Sequence, residues 1–448
     1  TVLSDSIRIR NDVVDSQSNV QMTFSADGSS PTIDLASNWS ISDVSAVTSY
    51  IPKNIIKPKL YNWFQSALVQ GSIPRGTTVL QGPLDKFPFD DGEGRFLVQA
   101  SVRNMTFKYQ PRWPAATEAD MEVVLDGMRL YSQSNRFLNA GNQAVDANVE
   151  IADLRDPVLT IDAFSTGTLD TIRTFSVNSP INDVFGGQLD RISVSGEASF
   201  TLDLRVPLKN SKAFEFTSVV RSNNGAMSIE GFDPPITDVI GEVTIGRNAI
   251  SSQSLGARFL GEQVKVDLAQ AEDEEYSVVA KIIGPVTAEA IISELGVPLE
   301  GLISGATDYE ARVLFPRGKR EIPQPLTIQI DSDLAGLGLA FPEPVNKSED
   351  SILQIRGEVR FMPGGEVIES AGFAETPLAW QLAFNKADDT WDFDRGVVTL
   401  GRDVLQPAET RGLHIRGNTD TVRLEDWLNL SRSGENKVGA ADRIRSIE

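Results

Sequence analysis

The chain has 448 residues, of which 40% are hydrophobic and 23% charged, with a formal net charge of −21, one histidine and no cysteine. It is too apolar for disorder, and its charge has the wrong sign for coating nucleic acid or an anionic lipid surface. Without cysteine there is no disulfide, thiolate metal site or cysteine nucleophile.

The first clear periodicity is helical. After Pro58, the residues Leu60, Trp63, Phe64, Ala67 and Leu68 recur along one helix face and Gly71 closes the run, predicting a helical insert near 57–70. Strand alternation follows in Phe96-Val98-Ala100-Val102, Met121-Val123-Leu125 and Val145-Ala147-Val149-Ile151. A weaker helical pattern near Leu169 and Ile172 predicts a second insert over 168–176.

Residues 191–206 give the most regular alternation in the chain. Ile192, Val194, Ala198, Phe200, Leu202, Leu204 and Val206 share one face, opposite Ser193, Glu197, Thr201, Asp203 and Arg205. Read as one strand they would span roughly 50 Å, against the usual ~17–20 Å. A strand that long predicts an elongated sheet with one apolar and one wet face.

Further strands are predicted at Val264-Val266-Leu268, Tyr276-Val278-Ala280-Ile282, Leu326-Ile328-Ile330, Leu353-Ile355-Gly357-Val359-Phe361 and Trp380-Leu382-Phe384. Between the second and third of these, Pro285, Ala288, Ile291, Ile292, Leu295 and Gly296 predict a helical insert at 286–296. Turn chemistry punctuates the pattern at Asp91-Gly92-Glu93-Gly94, Asn223-Asn224-Gly225 and Pro363-Gly364-Gly365. The echo between 120–134 and 238–254, each a strand, a turn and a second strand, adds the signature of stacked units. The fold expected is all-β with a few short helices, an elongated antiparallel meander running without sharp boundaries over 1–430. The polar stretch 431–448 reads as a linker or the start of a further unit. We read the chain, which opens at Thr1 directly in strand-like sequence, as a segment of a longer protein. It contains no signal peptide and no stretch of the ~20 apolar residues that a transmembrane helix needs.

Candidate chemistry is sparse. His414 alternates with Leu413 and Ile415 and reads as an exposed or satisfied strand residue, with no nucleophile elbow beside it. Glu272-Asp273-Glu274-Glu275, Asp331-Ser332-Asp333 and Asp90-Asp91 read as turns rather than metal or acid–base sites. No phosphate-binding loop or dinucleotide fingerprint is present. We therefore expect no catalysis, no metal and no cofactor. The apolar face carries the functional question, because too few helices are available to cover it.

Several segments resemble the YhdP family of AsmA-like proteins. They are Tyr50-Ile51-Pro52, Lys59 through Gly71 (KLYNWFQSALVQG), Gly76 through Leu84 (GTTVLQGPL), Phe87-Pro88-Phe89, Tyr109 through Pro114 (YQPRWP), Gly336 through Pro344 (GLGLAFPEP) and Leu424 through Leu428 (LEDWL). The resemblance implies a bridge-like lipid transfer protein of the Gram-negative envelope, anchored in the inner membrane and crossing the periplasm. A curled β-sheet would form an apolar groove for phospholipid acyl chains, with envelope proteins at either end. This chain would be the middle of that bridge. Alternation then marks Ile192, Val194, Ala198, Phe200, Leu202, Leu204 and Val206 as candidate groove lining, with Val123, Leu125, Ile328, Ile330, Ile355 and Val359 as further candidates. It does not say which face is concave. The helix around Trp63 and Phe64 reads as a structural cap, a plug or a partner surface. The rival readings are an envelope scaffold with a dry β core and a β-solenoid carbohydrate enzyme using paired carboxylates.

Overall fold

Alternating sequence becomes antiparallel ladder. The computed structural model describes residues 1–50, 58–230, 232–247, 249–295, 299–318, 324–363, 367–375, 378–387, 390–401, 406–418, 425 and 444–447. It divides into two units. One comprises Thr1–Ile181, Glu197–Arg221 and Thr244–Arg247, and the other Asn182–Gly196, Ser222–Val243 and Asn248–Glu448.

In the first unit, β1 (Val2–Arg10), β2 (Val14–Thr23), β3 (Thr32–Ile41), β4 (Leu68–Pro83), β5 (Arg95–Phe107), β6 (Ala116–Asp126), β7 (Arg129–Asn139), β8 (Asn142–Ile151) and β9 (Val158–Thr168) follow one another as a meander. Each pairs antiparallel with the next. The β7–β8 connection is a two-residue turn with positive φ at both Ala140 (49°) and Gly141 (84°), which matches the twist of the flanking strands.

The second unit holds β10 (Ile192–Ser195), paired with the end of β12 (Glu215–Ile229) that falls in this unit, most of β13 (Phe232–Gly246), and β14 (Ala249–Ser252), β15 (Leu255–Phe259), β16 (Glu262–Gln270), β17 (Tyr276–Thr287), β18 (Ile303–Pro316), β19 (Leu326–Ser332) and β20 (Leu337–Leu339). Then come β21 (Ile355–Phe361), β22 (Val367–Ala374), β23 (Leu378–Ala387), β24 (Thr390–Leu400), β25 (Gly412–Gly417) and β26 (Ile444–Ile447). From β15 to β19 and on through β21 to β24 the pairing is antiparallel. The last two pairings, β24–β25 and β25–β26, are parallel, so the meander expected from the turn signals does not extend to this end.

The three expected helices are α1 (Pro58–Ala67), α2 (Leu169–Val177) and, after a single turn α3 (Ile181–Val184), α4 (Ala288–Leu295). Thr168 and Thr171 close a capping box at the start of α2. No described helix is long and apolar enough to cross a membrane.

Several expectations are corrected. Residues 191–206 form two strands, because Gly196 adopts φ +111° between β10 and β11 (Glu197–Pro207). A Cβ there would meet the Asn224 carbonyl oxygen at 2.1 Å. The first half pairs with β12 and the second with β9. The supposed turn at Asn223-Asn224-Gly225 lies inside β12, where strand pairing outweighs local turn propensity. Leu68 opens β4 rather than closing α1, and Pro285 belongs to β17. Val145 is exposed, because the ladder shifts register between Ala144 and Asp146 and turns it off the apolar face. Ile51-Pro52, the Leu60 side chain, Gly296, Gly364-Gly365, Leu424, Asp426 to Leu428 and most of 431–448 lie outside the described residues.

Candidate functional site

Residues directly opposite in a ladder point to the same side of the sheet. In the first unit that rule joins the candidates into rows. Val206, Leu159, Ile151, Leu130, Leu125 and Val98 are successive cross-strand partners, one on each of six neighbouring strands. The adjacent row is Leu204, Ile161, Val149, Ser132, Val123 and Ala100. At ~4.8 Å per strand each row runs roughly 24 Å across the sheet. Leu204, Val206, Val123 and Leu125 therefore share one apolar face, which Phe200, Leu202 and Ala198 continue along β11. On β11 the opposite face carries the exposed Asp203 and Arg205.

Overlapping the second row, side chains from β5 to β9, β11 and α2 line a single cleft, with Phe137, Ile161, Phe200 and Leu202 among them. A flat sheet cannot bring six neighbouring strands to one cleft, so the sheet curls around this point.

The face is roofed. Trp113, in the loop after β5, is 2% exposed and packs on Phe175 of α2 (centroids 5.7 Å), Phe214 (6.2 Å) and Phe216 (5.7 Å). Phe175 in turn lies 5.6 Å from Phe200. Trp63 of α1 donates its indole N–H to the Tyr109 carbonyl oxygen (2.9 Å), and Lys59 Nζ reaches the Lys209 carbonyl oxygen (3.2 Å). Two segments that carry the family resemblance, 59–71 and 109–114, thus supply α1 and the Trp113 loop. Leu204 and Val206 are fully buried.

Buried polar groups interrupt the apolar face and are tied to one another: Ser132 Oγ donates to Asn135 Oδ1 (2.6 Å), whose Nδ2 donates to the Ala147 carbonyl oxygen (2.9 Å). The Tyr109 hydroxyl accepts from Asn139 Nδ2 (3.3 Å), and burial pushes its pKa well above the ordinary tyrosine range. Asn142 Nδ2 donates to the Thr171 carbonyl oxygen (3.0 Å), tying β8 to α2. Away from the roof, Ser101 Oγ donates to Glu122 (2.6 Å) and Arg103 pairs with it (2.7 Å), holding its carboxyl below the usual range. Arg129 pairs with Glu150 at 2.7 Å. Such exposed pairs contribute ~0–1 kcal/mol each.

The second unit repeats the design. Val313, Ile328 and Val359 are successive cross-strand partners, as are Ala311, Ile330, Gly357, Gly372 and Trp380. Ile355 packs against a cluster of Ala288, Leu334, Leu337, Leu353 and Ala374, which makes it part of a local core. Ile192 is buried and Val194 half-buried on β10, in this unit rather than alongside Phe200 to Val206.

Two features of the faces escaped the sequence reading. Trp39 lies over Gly76, where a Cβ would fall 2.5 Å from the indole, and Trp380 covers Gly372 in the same way at 2.2 Å. A glycine inside a strand pattern was the available signal, since it marks a close approach. Leu159 and Ile161 were missed because the preceding Asp-Pro reads as loop sequence. His414 is buried on β25, with Nε2 3.0 Å from Thr410 Oγ1, and is satisfied as expected.

In the first unit a curled antiparallel sheet carries one largely apolar face, ion pairs on its other face and a short roof, the design of an all-β protein with few short helices. The chain belongs to the YhdP family, whose model, described as "YhdP protein", matches residues 1–445. It is 23% identical over 425 residues to "Intermembrane phospholipid transporter YhdP" of Escherichia coli (strain K12), covering 92% of this chain and 32% of that protein. The chain thus spans about a third of that relative's length. No solved structure matches.

Proposed function

We propose that this chain is the middle segment of a periplasmic bridge that conducts phospholipids between the inner and outer membranes, with acyl chains held against its apolar sheet face. The observation that carries the reading is the row Val206–Leu159–Ile151–Leu130–Leu125–Val98, which runs across the strands, along the direction in which a lipid would be handed on. The hydrocarbon core of a bilayer is ~30 Å thick, so one leaflet's chains extend ~15 Å, and the roughly 24 Å row exceeds one tail. Exposing a tail to water costs ~0.8 kcal/mol per CH₂, and a continuous apolar strip removes most of that barrier. The E. coli relative's name supports phospholipid as cargo. Full-length anchoring in the inner membrane and envelope partners at both ends belong to the same proposal.

The roof favours a second reading. With Leu204 and Val206 fully buried, the sheet serves equally as a dry scaffold that spaces or docks envelope components. Native mass spectrometry of the chain purified from cells, with extraction of its bound lipid, separates the two. Conduction predicts co-purified phospholipid, which is lost when Leu202 is replaced by Gln in a folded protein. A lipid-free chain that also fails to take up added phospholipid sinks the conduction reading.

A further inference from the structure

The chain carries a net charge of −21, yet Lys59, Lys212 and Arg247 converge on one short connection without an ion-pair partner among the described residues. Between β11 and β12 the backbone makes a single turn, Ser211–Ala213, which contains Lys212. Lys59 of α1 places Nζ on the Lys209 carbonyl oxygen (3.2 Å), just before that turn. Arg247, directly after β13, donates Nη1 to the Phe214 carbonyl oxygen (2.8 Å) and Nη2 to the Lys212 carbonyl oxygen (3.0 Å). All three side chains belong to the first unit and are exposed.

The nearby acids leave this charge uncancelled. Asp156 pairs with Lys209, and Asp153 is held by Arg155. Glu215 alternates with the buried Phe216 and so points to the opposite face of β12. Elsewhere on the same unit Arg103 and Arg129 each have their glutamate. The Arg247 guanidinium lies 4.8 Å over the Phe214 ring, which fixes its plane before any ligand arrives and leaves its remaining N–H donors for an acceptor. Phe214 packs on Trp113 at 6.2 Å, so the cations stand at the border of the aromatic roof.

Like charges held together repel, and each gains when an anion enters between them. A phosphate suits this set, since its several oxygens can serve a planar guanidinium and two ammonium groups at once. We propose that Lys59, Lys212 and Arg247 hold the phosphate of a phospholipid headgroup at the border of the roof. This rests on the lipid reading above and deepens it. The phosphate is met from the solvent side, so the contact asks for no space beneath the roof.

The test measures binding of three soluble probes by isothermal titration calorimetry at low salt: dihexanoylphosphatidylglycerol, dihexanoylglycerol and inorganic phosphate, the lipids kept below their aggregation concentrations. Wild-type protein should bind the phosphate-bearing lipid about tenfold more tightly than dihexanoylglycerol, and the preference should narrow between ~20 and ~200 mM salt. The double variant Lys59→Gln/Lys212→Gln, in exposed side chains, should lose most of the preference while dihexanoylglycerol binding stays unchanged. Lys265→Gln, which removes an exposed charge from β16 of the second unit, should keep it. A preference retained in the double variant, or lost equally in Lys265→Gln, overturns the site. Inorganic phosphate that binds as tightly as phosphatidylglycerol overturns the headgroup assignment in favour of free phosphate. Equal wild-type affinity for the two lipids overturns the inference without need of a variant and leaves the lipid reading standing, whereas binding of neither lipid removes both.

Discussion

The roof makes its sharpest prediction at Trp113. Its ring is 2% exposed and has three aromatic neighbours within 6.2 Å. Truncating such a side chain to alanine costs ~3–5 kcal/mol through lost contacts and the cavity left behind. Trp113→Phe removes less. It loses the volume of one or two methylenes, at ~0.8 kcal/mol each. It also deletes a buried indole N–H that has no hydrogen-bond partner among the described residues, which relieves ~1–3 kcal/mol. The two effects nearly cancel, so Trp113→Phe should lie within ~1 kcal/mol of wild type while Trp113→Ala falls by ~3 or more. Urea unfolding followed by far-UV circular dichroism and fluorescence measures both, with coincident transitions checked because a long ladder can unfold in parts. A Trp113→Phe loss above ~2 kcal/mol would mean that the N–H is satisfied after all. A Trp113→Ala loss below ~1 kcal/mol would mean that the loop rests on the sheet without packing there.

Other substitutions follow from the same geometry. Gly196→Ala puts a Cβ 2.1 Å from the Asn224 carbonyl oxygen at φ +111°, and should cost more than ~1 kcal/mol by thermal or urea unfolding. Leu204→Asp buries a charge at a fully buried position and should cost more than ~3 kcal/mol or prevent folding, whereas the neighbouring Asp203→Asn should stay within ~0.5. Tyr109→Phe should change the alkaline limb of stability. Burial raises the folded-state pKa of Tyr109 above its ordinary value of 10.0. Its contribution is therefore complete below about pH 10 and lost as pH rises further, because the unfolded chain ionises first. Wild type should lose stability faster than Tyr109→Phe between pH 10 and 11.5, and parallel profiles would contradict the assignment.

Period-two alternation in Phe200, Leu202, Leu204 and Val206 was enough to name one face, because strand geometry alone determines it. What alternation could not supply is register. That Leu125 lies in the row of Val206, and Val123 in the row of Leu204, depends on the number of residues in every intervening hairpin and bulge. The helices were legible from their spacing, but their role was not: Trp63 and Trp113 are fifty positions apart, and only the fold makes them parts of one roof. Gly196 lies inside the run that alternation presents as one strand, whereas its positive φ ends one strand and starts another. The buried Trp113 N–H without a partner among the described residues carries no sequence signature, since an unmet hydrogen bond exists only in three dimensions.

The central claim is that lipid tails meet the apolar face of the first unit. Site-specific photo-crosslinking in cells supplied with labelled phospholipid tests it most directly, with probes at Phe200 and Leu202, which line the cleft, and at Thr201 and Asp203, which alternate with them. The account predicts phospholipid adducts at Phe200 and Leu202 and none at Thr201 or Asp203. A folded protein with no adducts at Phe200 and Leu202, or with equal adducts at all four positions, would contradict it.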